Sequence, residues 1–299
     1  MSVLTSNASI DALPSTWRMD GRTCLLTGAT AGIGRHAAFA LATLGADLIL
    51  VGRSPSRVRR VEREVRQAAP RVRVRGLVAD LSSQAEVRRL AAIVLAECTY
   101  LHVLVNCAAI VTPRRRETVD GIEMQFAVNH LAPFLLTNLL LPRLLESEPA
   151  RVVTVASQVE RAGTIDFEDL DGRHAYDYWR AYRQSKLANI LFTRELAERV
   201  GARGITPVSL HPGVYTTGLL HDLLGWSRIV TRLRGRGGSP DPELSATILA
   251  RAAADPTLQG SPGVHLHEHE IAEPSAQAQD RELAHRLWTV SEKLTMLNS

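Results

Sequence analysis

Short apolar runs alternate with longer amphipathic stretches over most of this 299-residue chain. The run Thr23-Cys-Leu-Leu-Thr27 leaves no solvated face and predicts a buried strand. Ile33 to Leu44 carries apolar residues at helical spacing and stops at Gly45, a residue suited to ending a helix. Asp47 to Val51 predicts a second strand, Pro55 to Ala69 an arginine- and glutamate-rich helix that ends before Pro70, and Val72 to Val78 a third strand. Ser83 to Glu97 reads as a helix with Ser82 or Ser83 as its cap, Leu101 to Val105 as a fourth strand, and Val119 to Leu145 as one long helix. Arg151 to Val155, Tyr178 to Val200 and Ile205 to Leu210 predict a fifth strand, another long helix and a sixth strand. Such alternation requires a parallel sheet covered on both faces. The expected fold class is α/β, a single doubly wound parallel sheet with helices on both faces. No repeat or shift of composition marks a second domain. Residues 1–20 are expected to form a loose extension and 21–299 one domain.

Composition adds limits. At 45% hydrophobic and 22% charged, the chain can bury a sizeable core in water. The formal charge is +4, and Lys186 and Lys293 are the only lysines among 35 basic residues. The densest basic run, Arg53 to Arg75, is interrupted by Glu62 and Glu64 and contains no aromatic residue. Nucleic-acid binding draws on basic grooves with stacking aromatics. The run therefore reads as a solvated helix face followed by an edge strand, and no nucleic-acid partner is expected. Cys24, Cys98 and Cys107 lie in apolar segments without metal-ligand spacing, so reduced thiols and no metal site are expected. Met1 to Trp17 lacks a basic-then-apolar signal pattern, and no apolar run reaches the ~18 residues of a membrane span. The longest, around Phe134 to Leu145, is broken by Thr137, Asn138, Pro142 and Arg143. These readings place the protein in the cytoplasm with no membrane span. The preference for arginine and alanine fits a GC-rich bacterial source.

Directly after the first strand stands Thr27-Gly28-Ala-Thr30-Ala-Gly32-Ile33-Gly34, a Gly-x-x-x-Gly-x-Gly loop that opens a helix. Glycines there permit a tight turn and close approach of backbone to a phosphate, and the helix N-terminus supplies amide donors. The candidate cradle is thus Thr27, Gly28, Thr30, Gly32, Ile33 and Gly34. At the end of the second strand an acidic residue would bind the ribose hydroxyl of NAD(H), whereas arginine suits the 2′-phosphate of NADP(H). Asp47 begins that strand, and its other end is Gly52-Arg53-Ser54, so NADP(H) is favoured over NAD(H). Arg35 and Arg57 are candidate helpers. Asp80, followed by Leu81, ends the third strand, where it can accept from an adenine amine or cap the next helix. Asn106 ends the fourth, outside whose carboxyl end ligands bind in open α/β sheets.

Tyr182-Arg-Gln-Ser-Lys186 spaces a phenol and an ammonium one helical turn apart. A cation beside tyrosine favours the phenolate and can make an acid/base that works near neutral pH. Taken alone, the spacing is better explained by a surface helix pair.

Together with Val128-Asn129-His130-Leu131, Phe134 to Leu140, Ser185 to Phe192, Leu210-His-Pro-Gly213 and the tail Arg286 to Lys293, these elements resemble the short-chain dehydrogenase/reductase family, and specifically its retinol-dehydrogenase-like branch. The resemblance runs from about residue 21 to 295 and implies a Rossmann fold. It implies an NADP(H)-dependent carbonyl reductase or alcohol dehydrogenase with a small-molecule substrate. By that resemblance Tyr182 is the general acid in reduction and the base in oxidation, and Lys186 lowers its pKa and holds the nicotinamide ribose. Ser157 hydrogen-bonds the substrate oxygen. Asn129 positions a water that relays protons to Lys186, and Pro212, Gly213 and Thr217 border the nicotinamide. Pro133 adds a physical argument. Having no N–H, it leaves the Asn129 carbonyl four residues earlier unpaired, so a kink is expected there with that carbonyl turned toward a water near Lys186.

The chain departs from the family pattern at Asn106-Cys107-Ala108-Ala109, where Asn-Asn-Ala-Gly is usual, which puts cofactor affinity and local backbone geometry in question. Substrate contacts are expected from residues 158–180, with His174, Tyr176, Tyr178 and Trp179 on one side. A loop over about 215–240 should supply the other side, with Leu219, Leu220, Leu223, Leu224 and Trp226 as an apolar wall. The rival readings are a nucleotide-binding sensor without turnover and a cyclase or isomerase that reuses the same tyrosine and serine. A homo-oligomer is compatible with the sequence.

Overall fold

The structure, a computed structural model, describes residues 13–201, 203–213, 242–261 and 263–297. Its strands are β1 (Thr23–Thr27), β2 (Asp47–Gly52), β3 (Val74–Val78), β4 (Val103–Asn106), β5 (Ala150–Val155), β6 (Ile205–His211), β7 (Val264–His267) and β8 (Glu270–Ile271). They form one sheet in the order β3-β2-β1-β4-β5-β6-β7-β8, parallel throughout except for the β7–β8 pair. The helices are α1 (Gly32–Thr43), α2 (Pro55–Ala68), α3 (Gln84–Glu97), α4 (Ala132–Leu145), α5 (Tyr178–Val200), α6 (Pro242–Ala254) and α7 (Arg281–Thr295). Residues of α1, α2 and α6 build the core on one face, and those of α3, α4 and α5 with Trp288 of α7 build it on the other. β4, β5 and β6 are buried along their whole length, as expected of central strands of a parallel sheet covered on both faces.

The arginine run behaves as expected. Pro55 occupies the first turn of α2, where its missing N–H costs nothing. Val58, Val61 and Val65 are its buried stripe, and Arg57, Arg59, Arg60 and Arg63 face water. Asp47 sits at the opposite end of β2 from Arg53 and anchors β3, accepting from the Arg73 backbone N–H at 2.7 Å and from its Nε at 2.8 Å.

Four expectations are corrected. The region before residue 21 is not wholly loose: Trp17 and Met19 are buried, and the Met19 N–H donates to the Leu44 carbonyl at 2.8 Å. The helix expected from Val119 begins only at a short turn, Met124–Phe126. Asp120-Gly121 instead closes a turn in which the Thr118 N–H donates to the Ile122 carbonyl, and Glu123 caps the Phe126 N–H at 2.7 Å. Between that turn and α4, Ala127–Leu131 is π-helical. The wider turn is how the chain accommodates a proline at 133 that has no N–H for residue 129, and it replaces the expected simple kink. By length and composition, the segment Met124–Leu145 is apolar enough to cross a membrane, contrary to the expectation that none would be, but 78% of its window is buried inside the protein.

His130, within the π turn, is 1% exposed among Phe126, Phe134 and Phe192, and its Nε2 lies 2.9 Å from Ser291 Oγ. Burial pushes its pKa down to about 3 from 6.5. Since the unfolded chain takes up this proton first, the residue's contribution to stability is complete above pH 6.5 and is lost as pH falls toward 3. Between pH 6.5 and 5 the loss from this residue is about 2 kcal/mol. Urea unfolding at pH 7 and pH 5 should show a drop in wild type larger by about that amount than in His130→Gln, which keeps a polar group but does not titrate. Equal drops would contradict the assignment.

Candidate active site

The candidate residues gather at the carboxyl ends of the strands, around the point between β1 and β4 where the strand order reverses. The loop after β1 is built for close approach. Gly28 has φ +71°, and a Cβ there would lie 2.8 Å from Ala108 Cα. A Cβ on Gly34 would lie 2.3 Å from the Gly28 carbonyl oxygen, so α1 packs directly on the loop. Gly32, at φ +51°, begins α1, and the residue before it, Ala31, provides no side-chain cap. The first amides of α1 are therefore offered to a ligand rather than to the protein. Thr27 Oγ1 donates to the Val105 carbonyl at 3.2 Å and accepts from the N–H groups of Cys107 and Ala108 at 3.0 and 3.2 Å. That clasp fixes the stretch where Cys107 and Ala109 depart from the family pattern. Ile33 and Leu81 pack against the two cores, and Thr30 lies over Gly52.

Arg53, at the end of β2, is exposed and makes no hydrogen bond or ion pair among the described residues. Of its supposed helpers, Arg35 is already engaged, by Glu64 at 2.8 Å and by the Phe39 ring at 5.0 Å. Asp80 uses Oδ1 to hold the Ser82 N–H and hydroxyl at 3.0 and 2.8 Å, a turn-closing role, while Ser83 caps α3. Asn106 is 3% exposed and donates to Thr137 Oγ1 at 3.1 Å, but its buried Oδ1 has no partner among the described residues. An orphaned buried acceptor at the strand-order switch, the glycine cradle and the uncapped helix together fit a nicotinamide dinucleotide.

Across the crevice, Asp177 caps α5 and carries Tyr182 and Lys186 on one face of it. Lys186 is 2% exposed, and its Nζ donates to the Val155 carbonyl at 3.0 Å and lies 5.6 Å from the Tyr182 ring centre. Burial lowers its pKa to about 8. Tyr182 is half-buried, with its ring against Trp179 at 6.0 Å. Desolvation raises its pKa to about 12, opposed by a hydrogen bond with Ser157. The Lys186 ammonium, expected to favour the phenolate, is held on the Val155 carbonyl near the ring. Ser157 stands directly after β5, in extended backbone.

Asn129 is fully buried and joins three elements. Its Oδ1 accepts from the Ile110 N–H at 2.8 Å, and its Nδ2 donates to the Ile110 carbonyl at 3.0 Å and to Ser185 Oγ at 3.1 Å. Ser185 passes the contact on to the Tyr182 carbonyl at 2.8 Å. The side chain thus sets the spacing between the segment after β4 and the helix of Tyr182. Ser185, Thr137 and Asn189, which donates to the Val155 carbonyl at 3.2 Å, were not singled out from the sequence. Ser185 lies inside the Tyr-x-x-x-Lys stretch, the one available signal for it. Pro212 and Gly213 follow β6, the Pro212 carbonyl accepting from Ser245 Oγ at 3.0 Å, and Gly213 has φ +92°. Thr217 and the loop with Leu219 to Trp226 lie outside the described residues.

The aromatic residues expected to line the substrate side divide. Trp179 borders Tyr182, and the Tyr178 ring lies tilted against Trp179 at 5.4 Å. Tyr176 instead serves the framework: its hydroxyl donates to the Thr112 carbonyl at 2.9 Å and accepts from Gln125 at 2.7 Å. His174 is exposed beside Asp169.

A family model described as short chain dehydrogenase matches residues 22–227. Among curated proteins, polyprenol dehydrogenase of Mus musculus is 42% identical over 92% of this chain and 84% of that protein. Retinol dehydrogenase 13 of Mus musculus is 38% identical over 96% and 87%, and retinol dehydrogenase 14 of Homo sapiens 37% identical over 93% and 88%. A crystal structure of a protein from Mycobacterium paratuberculosis superposes with TM-score 0.77 at 32% identity, covering 97% of each chain. A structure described as an NAD(P)-dependent gluconate 5-dehydrogenase from Beutenbergia cavernae, with NADP bound at low occupancy, superposes at 0.70 with 26% identity over 84% of this chain and 96% of that one.

Proposed function

We propose that this chain, which belongs to the short-chain dehydrogenase family in its retinol-dehydrogenase-like branch, is an NADP(H)-dependent oxidoreductase that interconverts an apolar alcohol and its aldehyde or ketone. The observation that carries the reading is the convergence of Ser157, Tyr182, Lys186 and Asn129 beside an uncapped, glycine-cradled helix N-terminus. The names of the relatives, polyprenol and retinol dehydrogenases, support a long isoprenoid alcohol as the substrate class.

The diphosphate would lie on the backbone of Gly28, Gly32 and Gly34, the 2′-phosphate against Arg53, the adenine against Asp80 and Leu81, and the nicotinamide end against Asn106, Pro212, Gly213 and Thr217. A bound nicotinamide supplies the hydride. The chain supplies the proton and the charge. Tyr182, with its pKa raised to about 12, keeps its proton at neutral pH and donates it to the carbonyl oxygen during reduction. Ser157 steadies the same oxygen as charge develops on it. Lys186, an ammonium held at the Val155 carbonyl, meets the ribose and offsets the phenolate left behind. Asn129 sets the spacing of these groups, and its carbonyl is the proposed anchor for a relaying water.

The test is consumption of NADPH or NADH, followed by absorbance, against a panel of polyprenals, retinal, simple aldehydes and ketones. Turnover of apolar aldehydes with NADPH supports the reading. Tight NADPH binding without turnover across the panel would replace it with a sensor or a cyclase. A second measurement addresses cofactor choice. Arg53→Ala should raise KM for NADPH by about 10- to 100-fold, the worth of a charge-assisted contact to phosphate, and leave NADH nearly unchanged. Equal effects on both cofactors would remove Arg53 from this role.

A further inference from the structure

The carboxyl ends of β6 and β7 carry a cluster that the oxidoreductase reading does not use. His211 and His267 are paired in register on adjacent parallel strands, so their side chains leave the sheet on the same face, with ring centres 4.9 Å apart. The next residue, Glu268, begins the tight turn into β8, and its N–H donates to the His211 carbonyl at 2.8 Å. The ligand atoms of His211, His267 and Glu268 all lie within 4.8 Å of one another.

Two independent observations give the cluster a purpose. His211 is 2% exposed, yet among the described residues neither of its ring nitrogens has a hydrogen-bond partner. Leaving a buried polar group unsatisfied costs about 1–3 kcal/mol, and native proteins rarely do so without a reason. Glu268 adopts φ +54°, a conformation disfavoured for any residue with a Cβ and common at functional sites. Glycine would suit that turn better on backbone grounds alone, so a carboxylate is kept there against its own preference.

We propose that His211, His267 and Glu268 form a binding site for a divalent transition-metal ion of the zinc class, held between the ends of β6 and β7. Two imidazoles and a carboxylate are the donor set of open zinc sites, in which water or another ligand takes the fourth position. Around a tetrahedral ion with bonds of ~2.0–2.2 Å, donor atoms stand roughly 3.3 Å apart, so side-chain rotation closing about 1.5 Å completes the site. Glu268 is exposed and His267 half-buried, which gives the ion a route from solvent to the buried His211. The ion ties the β7–β8 hairpin to β6 immediately before Pro212-Gly213 and so stiffens the strand end next to the proposed nicotinamide site. Spacing rules miss this site because its ligands come from two strands far apart in sequence.

The experiment uses untagged full-length protein, stripped with EDTA and dialysed, then titrated with Zn2+ by equilibrium dialysis and with Co2+ by visible absorption. Wild type should bind about one Zn2+ per chain, show the intense visible bands of a low-symmetry Co2+ site, and gain thermal stability on adding Zn2+. His267→Ala and Glu268→Gln should each weaken binding by about tenfold or more, with the Zn2+-dependent gain reduced. His269→Ala, which removes a neighbouring imidazole outside the trio, should leave binding unchanged. His211 is best left intact, since deleting a buried ring can disturb folding by itself. Absence of Zn2+ and Co2+ binding up to about millimolar ion, or binding undiminished in the His267→Ala/Glu268→Gln double variant, would overturn the proposal. Neither result bears on NADPH turnover.

Discussion

Tyr182→Phe is expected to lower kcat for aldehyde reduction by about 10³-fold or more, with NADPH binding changed by no more than about twofold. The substitution removes one oxygen and keeps the ring, so the contact with Trp179 at 6.0 Å is preserved and the fold should be unaffected. What is lost is the phenol beside Ser157 that the proposed mechanism uses as its acid. A properly placed acid contributes about 10²–10⁴-fold, and loss of the Ser157 partner adds to it. The separation of kcat from cofactor binding is the informative part. A merely structural tyrosine would lose stability and binding together. A kcat within about tenfold of wild type would transfer the acid role to another group.

The second large effect falls on the nucleotide side. Gly34→Ala places a methyl carbon 2.3 Å from the Gly28 carbonyl oxygen and 2.9 Å from its carbon. Both atoms are backbone, so no side chain can swing away, and the loop must separate from α1. Overpacking of this kind costs about 1–3 kcal/mol, and here it also displaces the amides proposed to hold the diphosphate. Thermal melts should show a lowered Tm in the absence of cofactor and no stabilisation by NADPH at concentrations that stabilise wild type. Gly121→Ala is the comparison. Gly121 also has positive φ, +75°, but a Cβ there meets nothing within 4 Å, so that variant should lose some stability and keep the NADPH response. If Gly34→Ala still responds fully to NADPH, the cradle is not where the cofactor binds.

Much of the sheet and its helices was readable because each carries its own boundary chemistry. β1 runs Thr23–Thr27 as expected, an apolar run stopped by glycine. α5 runs Tyr178–Val200 as expected, since Asp177 can cap it and Gly201, at φ +52°, can end it. The start of the region around 119–131 was not readable, because a helical apolar pattern does not reveal that Thr118 closes a turn around Asp120-Gly121 or that the chain widens before Pro133. β7 and β8 were missed for a different reason. Val-His-Leu-His is four residues with imidazoles at alternate positions, and it joins the sheet through pairing with β6 rather than through a continuous apolar run. The candidate catalytic group was legible as side chains. Its connections were not, because the partners of Lys186, Asn129 and Ser185 are the carbonyls of Val155, Ile110 and Tyr182, and a main-chain carbonyl leaves no mark in the residue alphabet.

The two ends of the sheet differ in construction but share an outcome. β3 carries an exposed Arg75 paired with Glu97, with Arg73 just before it paired with Asp47, and the other border is finished by β8, two residues long with Glu270 exposed. An unpaired strand is a template on which another polypeptide can add a rung, and fibril growth begins in that way. One border is obstructed by bulky ion-paired side chains and the other offers too short a stretch to seed it. A chain with a sheet of eight strands therefore resists stacking edge to edge with its own copies.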